Sequence, residues 1–108
     1  MLSAREKSIL KQFKTSLKQT LGGRLVELKL FGSKARGDDR SDSDIDVLVI
    51  VTTDDWRMCD TVYNVATDLS LETDLYISAK VISKNRFDQL RRDGTPFLRN
   101  VSKDAISV

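Results

Sequence analysis

Five consecutive apolar residues, Val47-Leu48-Val49-Ile50-Val51, place the strongest constraint on this chain. Side chains alternate faces along a β-strand, so a strand that is apolar at every position must be covered on both sides. The run therefore reads as a central strand of a sheet. The chain has 108 residues, enough for one domain with one core, and residues 1–108 read as that single domain. The expected fold class is α/β (α+β): a small mixed sheet of three to four strands with helices packed on it.

The flanking segments supply the other layers. Ala4 to Thr20 reads as an amphipathic helix, with Leu10, Phe13, Leu17 and Leu21 at helical spacing. Ser3 with Glu6 forms a capping-box signature, and Gly22-Gly23 ends the helix. Arg24 to Phe31 reads as a first strand, with Val26, Leu28 and Leu30 on one face and Glu27, Lys29 and Phe31 on the other. Thr53 suits the N-cap of a second helix, whose apolar stripe is Met58, Val62, Val65, Ala66 and Leu69. Trp56 and Tyr63 could stack on a base, but helix packing is the preferred reading. Asp74 to Ile82 reads as a third strand, and Ser83 caps a short helix from Lys84 to Arg92. Pro96 to Asp104 reads as a further helical segment. Ala105 to Val108 reads as a short edge strand.

The chemistry concentrates just before the central run. Asp44 and Asp46 alternate with Ile45, so both carboxylates point to one face while Ile45 and Val47 point to the core. Two adjacent carboxylates repel unless a divalent cation or a strongly basic group lies between them. Oxygen ligands of this kind suit Mg²⁺ or Mn²⁺. Upstream, Gly32 and Ser33 offer small residues and backbone N–H groups of the kind that approach a phosphate closely. Lys34 and Arg36 follow; Arg36 suits either a bidentate phosphate contact or a structural pair with a nearby Asp. Two other motifs fail on their own terms. Val47 stands where an EF-hand loop needs Gly, and Asp38-Asp39 stands where a P-loop needs Lys-Ser/Thr.

Gly32-Ser33, Ala35-Arg36-Gly37 and Ser41-Asp42-x-Asp44-x-Asp46 together resemble the signature of the minimal nucleotidyltransferases, within the DNA polymerase β-like nucleotidyltransferase superfamily. The resemblance implies a nucleotidyltransferase core with a third carboxylate on a later strand. Asp74 is the candidate for it, as metal ligand and as base for the attacking hydroxyl, with Glu72 as fallback. A helix-to-strand turn residue is the competing reading of Asp74. The implied catalytic and metal set is Asp44, Asp46 and Asp74, and the implied nucleotide-binding set is Gly32, Ser33 and Arg36. The implied reaction transfers an NMP, AMP first among them, from ATP or another NTP to an acceptor by two-metal catalysis. In such chemistry two ions about 3.5–4 Å apart clamp the attacking and leaving oxygens. The resemblance further implies a small helical HEPN-type partner protein, which could supply the acceptor hydroxyl. The alternative is an antitoxin-like interaction protein that binds such a partner without transfer. The third carboxylate separates the two.

Composition narrows the remaining classes. A formal net charge of +2 is too mild to argue for nucleic-acid binding. The lysines of the first helix read as its solvated side. There is no histidine, which removes imidazole acid–base catalysis. Nothing approaches the roughly 20 apolar residues of a membrane span, and Lys11, Lys14 and Lys18 interrupt any signal-peptide-like run. The single cysteine, Cys59, fits a reducing cytoplasm.

Overall fold

The computed structural model describes residues 3–32, 44–53, 55–96 and 106–108. Helix α1 spans Ala4–Leu21 and opens with the expected capping box. The Ser3 hydroxyl accepts from the Glu6 amide at 3.1 Å, and the Glu6 carboxylate accepts from the Ser3 amide at 2.9 Å. Gly22, at φ +58°, closes the helix, and its amide donates to the Lys18 carbonyl. A 3₁₀ turn, Gly22–Arg24, leads into β1, Leu25–Phe31. Strand β2 spans Ile45–Val51, helix α2 Trp56–Thr73, strand β3 Ile77–Ser83 and helix α3 Lys84–Asp93. A two-residue strand, β4, covers Ile106–Ser107.

The sheet order is β3-β2-β1-β4. Strand β1 pairs antiparallel with both β2 and β4, while β2 and β3 run parallel across α2. A parallel pair needs a long crossover, and α2 supplies it. The α/β class and the mixed sheet are as expected, with the tail of the chain adding the short fourth strand.

Burial follows strand alternation. On one face, Ile45, Val47, Val49 and Val51 of β2 join Leu28, Leu30 and Ile77 beneath α1 and α2. Phe13 and Leu17 of α1 and Val62 of α2 are fully buried in this layer. On the other face, Leu48, Ile50 and Ile82 meet Phe87 of α3, with Phe31 and Leu90 packed at the margin. The central strand is thus covered on both sides, as its composition requires.

Several boundaries differ from the sequence expectation. Asp55, not Thr53, caps α2, because its carboxylate accepts from the Met58 amide at 3.0 Å. A register shift between Leu25 and Glu27 turns Val26 outward, 44% exposed, and removes it from the stripe of Leu28 and Leu30. Trp56 and Tyr63 are 68% and 46% exposed rather than packed, and the Arg57 guanidinium lies over the Trp56 ring. Strand β3 begins at Ile77, not Asp74. Helix α2 continues to Thr73, and Asp74 closes it in the left-handed conformation, φ 57°, which Asp tolerates better than most residues. The turn is tied down by the Ser70 hydroxyl, which accepts from the Ile77 amide at 3.1 Å and donates to the Ala66 carbonyl. Residues 97–105, which hold most of the helical segment expected after Pro96, lie outside the described residues. Among the described residues no helix is long and apolar enough to cross a membrane.

Truncating Phe13, which is 0% exposed, tests this layer. Phe13→Ala should lower unfolding free energy in urea by about 3–5 kcal/mol. The Ser83 hydroxyl accepts from the Arg86 amide at the start of α3, so Ser83→Ala should cost about 1 kcal/mol.

Candidate active site

Helix α3 packs against Leu48, Ile50 and Ile82, and the candidate site lies at the start of β2. There Asp44 is exposed and Asp46 half-buried, on either side of the fully buried Ile45. Ile45 anchors the strand start by donating its amide to the Tyr76 carbonyl at 2.9 Å. Because Ile45 and Val47 are both in the core beneath α1 and α2, Asp46 takes the opposite face. Asp44 immediately precedes the strand, so alternation does not fix its direction.

The register defines what surrounds them. Phe31 of β1 and Ser78 of β3 both pair with Asp46 of β2, so Phe31, Asp46 and Ser78 form one row across the sheet. The next row toward α3 is Lys29, Leu48 and Lys80. Lys29 holds an ion pair with Glu27 of its own strand at 3.3 Å.

Gly32 follows Phe31 directly and adopts φ +76°. A Cβ placed there would collide with Oδ2 of Asp46 and would lie 3.2 Å from its Cγ. Both facts demand glycine: the left-handed backbone and the lack of room. The main chain at the end of β1 therefore lies directly against the Asp46 carboxylate, a closeness no other residue type allows. This is the observation on which a metal–phosphate site can be judged. A divalent cation fits a donor set of two carboxylate oxygens, completed by substrate phosphate oxygens, which is how Mg²⁺ is commonly held. Among the described residues no group of three or more acidic, His or Cys side chains gathers for a metal.

Of the other expected site residues, Ser33 and Arg36 lie outside the described residues, as do Lys34 and Gly37. Asp74 is exposed at the end of α2, three residues before β3 begins. Nothing in the sequence singles out Ser78. Aligning the two parallel strands back from their C-terminal ends, Val51 with Ser83, would have set Ser78 opposite Asp46.

Residues 10–94 match the family model described as the nucleotidyltransferase domain. Two proteins of Methanocaldococcus jannaschii, each named "Putative protein adenylyltransferase", are similar to the chain. One is 35% identical over 99 residues, covering 92% of this chain and 93% of that protein. The other is 35% identical over 77 residues, covering 70% and 78%. Among solved structures, one described as a "putative minimal nucleotidyltransferase" superposes with a TM-score of 0.54 at 24% identity, covering 94% of both chains. A chain from a toxin–antitoxin crystal structure with AMP-PNP gives a TM-score of 0.55 at 21% identity, covering 90% of this chain and 70% of that one. At those identities the structures speak for the fold. The family match spans most of the chain, and the three long strands, the bare glycine and the two aspartates lie within it: the chain belongs to the nucleotidyltransferase domain family.

Proposed function

We propose that this nucleotidyltransferase moves AMP from ATP to a hydroxyl of a partner protein. The observation that carries the reading is the contact between the Gly32 backbone and the Asp46 carboxylate, with the exposed Asp44 two residues before it. Asp44 and Asp46 would hold the cation, Mg²⁺ or Mn²⁺. Gly32, with Ser33 and Arg36 beyond it, would receive the β and γ phosphates. A divalent cation bound there supplies neutralisation of the charge on the reacting phosphates. The acceptor oxygen bonds to the α phosphorus, the bond from that phosphorus to the β-phosphate oxygen breaks, and pyrophosphate leaves. The hydroxyl proton passes to a carboxylate or to water. The chain needs no imidazole for this, because positioning and charge neutralisation supply most of the acceleration.

The adenylyl group and the protein acceptor follow the names of the two archaeal relatives. A helical HEPN-type partner follows the sequence signature, and structural neighbours from toxin–antitoxin complexes favour a paired arrangement. A small sheet with three helices among the described residues offers little surface for an acceptor of its own. A second reading is an antitoxin-like protein that binds its partner without transfer. One observation favours it: β3, Ile-Ser-Ala-Lys-Val-Ile-Ser, contains no acid to join Asp44 and Asp46.

Isothermal titration tests the site itself. Wild-type protein should bind ATP only with Mg²⁺ or Mn²⁺, and Asp44→Ala/Asp46→Ala should weaken that binding by about tenfold or more. No metal-dependent binding of ATP, GTP, CTP or UTP by wild type would remove the stand-alone enzyme reading.

A glycine pair isolates the close approach. Gly22→Ala meets nothing within 4 Å, so its cost is the backbone strain of a side chain at positive φ, about 1–3 kcal/mol, and ATP binding should stay intact. Gly32→Ala is likewise strained at positive φ and also displaces the Asp46 carboxylate, so it should lose metal-dependent binding as well. Thermal melts beside the titrations separate the two effects.

A further inference from the structure

We infer that Ser78 takes the third place around the cation, so that this chain's ligand set is two carboxylates and one neutral hydroxyl. The inference rests on the reading of Asp44 and Asp46 as metal ligands. It starts from the register, in which Ser78 of β3 pairs directly with Asp46 of β2 in the parallel ladder. Paired residues on neighbouring strands lie about 4.8 Å apart. Ile77 is buried in the layer beneath α1 and α2, and Ala79 packs against it. Ser78, between them, therefore faces the same side as Asp46. It is half-buried.

Asp74 has a weaker geometric claim. It lies four residues before Ser78 and caps α2 in the left-handed conformation, outside the strand. Its direction is thus not fixed by strand alternation, and it is exposed. No carboxylate occurs from Ile77 to Ser83, and the next residue of β3 on that face is Lys80. A third acid is therefore absent from the row where the ladder would deliver one.

A serine hydroxyl can ligate Mg²⁺ but brings no negative charge. Two carboxylates suffice for one cation shared with a triphosphate, whereas a second ion close by needs further anionic ligands to offset repulsion between the ions. The wild-type site should then take one ion with its nucleotide. Replacing Ser78 by Asp should build the missing ligand without a change of fold, because the position is half-buried and pairs with Asp46 through the main chain.

The test is Mn²⁺ titration followed by electron paramagnetic resonance, in the presence of a non-hydrolysable ATP analogue. Wild type should bind one Mn²⁺ per protein–nucleotide complex. Ser78→Asp should bind a second, or tighten the first by about tenfold. Asp74→Asn should stay within about twofold of wild type, while Asp46→Asn should lose about tenfold or more. If Asp74→Asn loses as much as Asp46→Asn, Asp74 is the third ligand and the inference is overturned. A folded Ser78→Asp, checked by thermal melt, with unchanged or weaker Mn²⁺ binding also overturns it. Should Ser78→Asp fail to fold, the Asp74→Asn titration decides alone. No Mn²⁺ binding by wild type with the analogue would instead overturn the proposed site itself, a separate failure.

Discussion

Burial of β2 on both faces is the constraint on which the other features depend. Val47, Val49 and Val51 lie beneath α1 and α2, and Leu48 and Ile50 beneath α3. Burying each such side chain contributes about 1.5–3 kcal/mol, so neither layer can be lifted cheaply. The strand is thereby fixed in position and register, and only its first residues emerge. Asp44 and Asp46 are presented from a rigid base, which is what a site that works by positioning needs. The same register sets Phe31 opposite Asp46, and so brings Gly32 against its carboxylate.

That arrangement also limits what can change. The approach of the Gly32 backbone to Asp46 tolerates no side chain, and its left-handed backbone favours none. The partner strand is different. Ser78 has ordinary strand backbone, and the ladder that sets it opposite Asp46 is made by main-chain groups. A nucleotidyltransferase core can therefore exchange an acid for a hydroxyl on β3 without disturbing its sheet. Such an exchange alters the charge of the site far more than its shape. It bears directly on whether the chain transfers a nucleotide or only holds one.

Much of this fold was legible in the sequence because the apolar periods are clean. The all-apolar run could only be a covered strand, and the spacing of Leu10, Phe13, Leu17 and Leu21 could only be one face of a helix. That Asp46 faces away from the core residues Ile45 and Val47 followed from alternation alone. Boundaries were less legible. Asp74 looks like a strand residue in sequence, but α2 extends to Thr73 and uses Asp74 to turn the chain. Thr53 and Asp55 are both good caps, and only hydrogen-bond geometry chooses Asp55. The outward turn of Val26 depends on a register shift, which no local pattern announces. Ser78 is an ordinary residue until the parallel register sets it opposite Asp46.

The central claim is that metal and triphosphate meet between the Gly32 turn and the aspartate pair. Anomalous diffraction from crystals grown with Mn²⁺ and a non-hydrolysable ATP analogue tests it most directly. The account predicts a manganese peak bridging Asp44 and Asp46, with the triphosphate running past the Gly32 backbone. Manganese and nucleotide bound elsewhere on the protein, with both carboxylates clear of the ion, would contradict it.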